Sequence, residues 1–140
     1  MVDDTQIPRL ARVPVMIIAA IGVGLFSWLM IWRAHDVATR GVYAALIFFF
    51  LVRARRILST DLTMTGVSQW TLTGPVSMSW SDVRNVRTSF RGGMTLDSDS
   101  ARVFISVRMF WDYFAALEWI HHRLEHVAPS DWKGRRYIGE

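Results

Sequence analysis

Residues 13–32 read VPVMIIAAIGVGLFSWLMIW, twenty residues without a charge. At about 1.5 Å of rise per residue, a helix of this length covers about 30 Å, the thickness of a bilayer's hydrocarbon core. The run is apolar on every side, whereas an amphipathic core helix keeps a polar face. It is too long for the apolar region of a cleaved signal peptide, and no small-x-small cleavage site follows it. The stretch predicts a transmembrane helix. The rest of the chain is then read relative to a membrane.

Working outward, residues 41–52 form a second apolar run, too short to span by itself. Started at Val37 it reaches sixteen residues, with Arg40 able to extend its side chain to the interface. Residues 37–52 are read as a second span; a re-entrant or interfacial segment is the alternative. The hairpin then occupies residues 13–56 and leaves 1–12 as a cytoplasmic N-terminal segment. Arg9, Arg12, Arg53, Arg55 and Arg56 lie outside the two spans, against Arg33 and Arg40 on the connecting side. That bias places both termini in the cytoplasm. Trp28, Trp32 and Tyr43 fall at the opposite interface, where amphipathic rings settle. Ala20 and Gly24 in the first helix, and Gly41 and Ala45 in the second, are small residues four apart. They predict a close packing seam, within the hairpin or against a partner's helix.

The formal net charge of +4 resides in residues 1–56, and residues 57–140 balance. A nucleic-acid-binding domain normally carries its own basic excess, and this one does not. The chain has no cysteine, which excludes disulfides, thiol nucleophiles and cysteine metal sites.

From Ile57 the pattern changes to period two. LTMT, SQWTLT, VSMSW, VRTSF and ARVFISV are short and rich in Val, Thr, Trp and Phe. They alternate apolar with polar residues between turn signals at Gly66, Gly74-Pro75, Gly92-Gly93 and residues 97–100. This predicts an antiparallel meander. Near Phe110 the period lengthens: Phe110, Tyr113, Phe114, Leu117, Ile120, Leu124 and Val127 recur at three and four, the stripe of an amphipathic helix. Asp112 is a candidate N-cap, and Ala128-Pro129 end the helix. Residues 57–128 form the predicted domain, and 129–140 a basic, aromatic tail. The fold class is therefore α+β: two transmembrane helices, a small antiparallel β domain and one closing amphipathic helix.

The order of two spans, basic stop, strand meander, Trp80-Ser81-Asp82-Val83, further strands and one C-terminal helix resembles bacterial membrane proteins with a pleckstrin-homology-like domain. In those domains a tryptophan and an acid often precede a short Ile/Val segment, here MSWSDVRNV at 78–86. The resemblance implies a bent sheet or barrel plugged by its helix, in a multi-pass protein of the bacterial cytoplasmic membrane. Fold does not fix function, and this one serves lipid binding, peptide binding and assembly alike.

No catalytic pattern emerges. His122 and His126, four apart, have a usable ligand spacing, but lie opposite the apolar stripe with no third ligand or HExxH pattern. His121 reads as a core-edge residue and His35 belongs to the connecting loop. Asp97 and Asp99 fit a turn and are too close-set for a calcium loop. Gly92-Gly93 lacks the following helix that a phosphate cradle needs, since a strand pattern follows. No cofactor or metal is expected, and no enzymatic activity.

Three groups remain as binding candidates. Arg84, Arg87 and Arg91, with Arg53, Arg55 and Arg56, are candidate contacts for anionic lipid headgroups. Trp119, set opposite the stripe, and Trp132 and Tyr137 in the tail, are candidate contacts for a protein partner. The expectation is an accessory or assembly subunit that meets membrane lipids and another integral membrane protein, or a second copy of itself, and no nucleic acid. A headgroup-binding module is the alternative.

Overall fold

The computed structural model describes residues 6–89 and 92–133. The chain divides into two compact units, residues 12–58 and a second built from the chain on both sides of them.

The first unit is a pair of helices, α1 (Arg12–Trp32) and α2 (Val37–Leu58). Both are long and apolar enough, by length and composition, to cross a membrane. The helix α2 starts at Val37, as the sequence predicts, because Asp36 caps it: the Thr39 N–H donates to the Asp36 carboxylate at 3.0 Å. Hydrogen bonds from the Thr39 side chain and backbone hold that carboxyl below its usual range. Arg40 Nε donates to the Ala34 carbonyl at 3.2 Å, which fastens the loop to the first turn of α2. At 22 residues α2 runs past the apolar segment through Arg53, Arg55 and Arg56. Those cations face the negative end of the helix dipole, where they are favoured.

The predicted packing seam is corrected by the structure. The ring of Phe26 lies 6.4 Å from that of Tyr43 and 5.4 Å from that of Phe50. A Cβ on Gly22 would stand 3.0 Å from the Phe50 ring. The helices therefore meet with an aromatic set against a glycine and a second aromatic. Ala20, Gly24, Gly41 and Ala45 are exposed on the outer surface of the pair. A Cβ on Gly24 or Gly41 would touch nothing within 4 Å. The physical reason is volume: Phe50 needs the space that Gly22 leaves open.

The second unit is built of two small sheets and a helix. Strands β1 (Asp61–Leu62), β2 (Gly66–Thr71) and β3 (Gly74–Ser79) form an antiparallel sheet in that order. Strands β4 (Asn85–Thr88), β5 (Gly93–Asp97) and β6 (Arg102–Ser106) form a second antiparallel meander. Gly74 turns the β2–β3 hairpin with φ of 124°, a backbone region that favours glycine. Pro75 is tolerated beside it because β3 is an edge strand. Val67, Met78, Val86, Leu96, Val103 and Ile105 bury the inner faces.

A side chain joins the two sheets. Gln69 of β2 is 3% exposed. Its Nε2 donates to the Phe104 carbonyl of β6 at 2.6 Å and to Thr60 Oγ1 at 2.7 Å. Its Oε1 accepts the Phe104 N–H at 3.4 Å. The amide thus takes the place of a neighbouring strand's backbone, so its own burial is compensated.

The helix α3 (Tyr113–Arg123) covers the core, with the Ala115 N–H donating to its N-cap Asp112 at 2.9 Å. Leu117, Ile120, Leu124 and Val127 are buried as the stripe predicts. Two positions differ. Phe114 is 77% exposed, and Trp119 is 1% exposed. The buried face is centred on Ala116 and Ile120, which puts Trp119 on it and leaves Phe114 off it. There the Trp119 ring stands edge-on to Trp80 at 5.7 Å, and Trp80 Nε1 donates to the Thr63 carbonyl at 2.8 Å. Trp119 is a core residue, which overturns its expected role as an exposed partner contact.

Short described segments on either side, before α1 and after α3, also belong to this unit. Strand β7 (Trp132–Lys133) pairs parallel with β4, Val86 opposite Trp132. Before α1, the Ala11 N–H donates to the Met109 carbonyl at 2.7 Å, and the Trp111 N–H to the Arg9 carbonyl at 3.1 Å. Leu10 and Phe110 form the antiparallel bridge between them. Neither pairing is expected from the sequence.

Trp119→Ala should lower the stability of the β domain by about 3–5 kcal/mol through the cavity it leaves. Phe114→Asp should change it by less than about 0.5 kcal/mol, since the position is exposed. Thermal unfolding of the full chain in detergent compares them. Equal losses would show that the helix face is misassigned.

Candidate functional site

The candidate residues do not converge on one place. Arg84 and Arg87 flank and lie on β4, and each faces a carboxylate. Arg84 Nε stands 3.7 Å from Asp99 Oδ2, and an Arg87 guanidinium nitrogen 3.3 Å from Asp97 Oδ2. Asp97 also accepts from Arg102 on β6. Asp97 is 8% exposed and ends β5, so its carboxylate lies between the cations of both neighbouring strands. Cross-strand pairs of this kind stabilise a sheet. Arg84 and Arg87 thus have intramolecular partners for part of their charge. Arg91 lies outside the described residues.

Arg53, Arg55 and Arg56 occupy the last turns of α2, as expected of the chain's flank. In the tail, Trp132 is half-buried against the core, its ring 5.1 Å from that of His121. That is a structural role within the domain, because β7 draws the residue onto the sheet. Tyr137 lies outside the described residues.

The helix ends at Arg123, earlier than the Ala128-Pro129 stop expected, so His122 lies on α3 and His126 beyond it. Both are exposed, and His122 Nδ1 lies 2.7 Å from Glu125 Oε1. Among the described residues, no three His, Asp or Glu side chains stand together as a metal-binding group. Trp119 Nε1 is buried with no hydrogen-bond partner among the described residues. The Arg123 guanidinium, 5.0 Å from the Trp119 ring centroid, closes that side of the core as a cation–π contact.

An open depression of about 390 Å³ lies on the outer face of the β2–β3 hairpin, between Ser59, Ser68, Trp70, Pro75 and Ser77. Those side chains supply hydroxyls and apolar surface with no charged group. Its chemistry suits contact with an uncharged surface more than recognition of an ion.

The most exposed large apolar side chains of the domain are elsewhere. Trp111 is 67%, Phe114 77% and Leu72 68% exposed. The sequence pattern puts Phe114 on the buried stripe, whereas Trp111 precedes the N-cap Asp112 and so lies outside the helix.

Compared with known protein families, with curated proteins and with solved structures, the chain matches none.

Proposed function

We propose that this chain is a non-enzymatic, membrane-anchored binding or scaffold protein. In this reading α1 and α2 form a transmembrane hairpin in the bacterial cytoplasmic membrane. The β domain is a cytoplasmic pleckstrin-homology-like module that serves as an accessory or assembly subunit of a larger membrane complex. Two antiparallel meanders followed by one helix agree with that type of domain. Both ends of the hairpin lead into the same β unit, which requires them to emerge on one side of the bilayer. The arginine bias assigns that side to the cytoplasm.

The observation that carries the binding function is the outer face of the helix pair. Ala20, Gly24, Gly41 and Ala45 are not used to hold α1 against α2 and stay uncovered. In lipid, small residues on an open helix face admit a further helix at close range. The competing reading, recognition of anionic headgroups through Arg53, Arg55, Arg56, Arg84, Arg87 and Arg91, is weakened by the carboxylates beside Arg84 and Arg87.

Orientation is tested by single cysteines in this cysteine-free chain. An impermeant thiol reagent on intact cells should label His35→Cys and spare Ser130→Cys; the opposite pattern rejects the assignment.

Function is tested by co-purification after gentle detergent extraction. Gly24→Leu with Gly41→Leu should reduce recovery of a membrane partner at least tenfold, about 1.4 kcal/mol, while the hairpin still inserts. Arg84, Arg87 and Arg91 all changed to Ala should have a smaller effect. If the arginine variant loses more, and the isolated chain binds anionic vesicles in a salt-sensitive way, headgroup recognition is the function.

A further inference from the structure

The three most exposed large apolar residues described in the β domain share one property: each lies close in the chain or by a hydrogen bond to a point where the chain passes between the domain and the helix pair. The Trp111 N–H donates to the Arg9 carbonyl at 3.1 Å, and Arg9 is three residues before the first residue of α1. Three residues span at most about 10 Å of chain. Phe114 follows in the first turn of α3. At the other passage, the Trp70 N–H donates to Ser59 Oγ at 3.0 Å, and Ser59 directly follows the last residue of α2. The register pairs Asp61 with Ser68, so β2 runs back towards the end of the sheet where α2 joins it. Leu72 lies in the turn two residues beyond Trp70.

Arg9 and Arg12 flank α1 at the first passage, where Asp112 is engaged in capping α3, and Arg53, Arg55 and Arg56 end α2 at the second, with Asp61 two residues past Ser59. Exposed apolar side chains close in the chain to the basic ends of two spans match the boundary between phosphates and acyl chains. Tryptophan in particular combines a large apolar ring with a polar N–H and settles there.

We propose that Trp111, Phe114 and Leu72 are a membrane seat: they insert into the interfacial layer of the bilayer and hold the β domain against it at both passages of the chain. The proposal rests on the reading of α1 and α2 as spans. It commits these side chains to lipid, and it leaves other surfaces of the domain to meet a partner. Two attachment points, one at each chain passage, would stop the domain from swivelling about a single linker.

The test uses the full chain reconstituted in vesicles of mixed phosphatidylcholine and phosphatidylglycerol. A spin label is placed singly at Trp111→Cys, Phe114→Cys and Leu72→Cys. Leu25→Cys, exposed in the middle of α1, reports insertion of the helix, and His126→Cys reports water. All five positions are exposed, and near-ultraviolet circular dichroism checks that each variant keeps its fold. Relaxation by oxygen and by a water-soluble nickel chelate gives depth. Label 25 should lie in the hydrocarbon, labels 111, 114 and 72 at or just below the phosphates, and label 126 in water. The oxygen-to-nickel ratio at the three sites should exceed that at 126 several-fold. If label 25 is in the hydrocarbon while 111, 114 and 72 match 126, the seat is rejected and the spans stand. Should label 25 also be in water, both readings fail. Labels 111 and 114 shielded from both reagents would mean a protein surface covers them, which overturns the proposal.

Discussion

Two backbone hydrogen bonds decide how this chain is organised: Ala11 N–H to the Met109 carbonyl, and Trp111 N–H to the Arg9 carbonyl. They bring a segment that precedes both long helices onto a loop some hundred residues later. Ordering each residue of such a segment costs about 1–2 kcal/mol of backbone entropy. The two bonds contribute about 1 kcal/mol each, so they need further support. Burial of Ala11 and partial burial of Leu10 against the core supply it. The β unit is thereby discontinuous in sequence. The helix pair becomes an excursion that starts and finishes in the same folded body. For a hairpin in a membrane, that closure requires an even number of crossings.

The same economy shapes the interior. Each sheet is too small to bury a core alone, and among the described residues no strand runs from one to the other. Gln69 makes the connection through its side-chain amide, which satisfies three partners in the space of one residue. Across the core, Trp80 and Trp119 meet edge to face. Trp80 belongs to the motif on which the pleckstrin-homology-like resemblance rests. Its structural use here is plain: it anchors the turn after β3 and gives the closing helix its main aromatic contact.

What the sequence made legible was local. The first helix, the start of the second at Val37 and the antiparallel strands follow from hydropathy and period, which depend on near neighbours; the expected single meander is in fact divided into two sheets. The misreadings concern pairings between distant residues. Strand β7 is two residues long, and the Leu10–Phe110 bridge has no periodicity at all, so neither leaves a pattern. In α3 the apolar Phe114 fits the stripe by spacing yet is exposed, and Trp119 fits it poorly yet is buried, because the contact with Trp80 that covers Trp119 comes from a distant part of the chain. Of the two uses the small residues four apart suggest, packing within the hairpin is the one the structure excludes: Gly22 opposite Phe50 holds that place, and it becomes visible only when the ring is placed. Arg84 and Arg87 are exposed, and the carboxylates beside them come from another strand and its turn, which no local pattern reveals.

The central claim is that the segment before α1 is a working part of the β domain. Amide hydrogen exchange on the full chain in lipid nanodiscs measures it directly, residue by residue. If the closure is real, the amides of Ala11 and Trp111 should exchange as slowly as those of β4 and β5, whose bonds open only when the domain unfolds. Exchange at the rate of an unstructured peptide at both positions, with β4 and β5 still protected, would contradict the account.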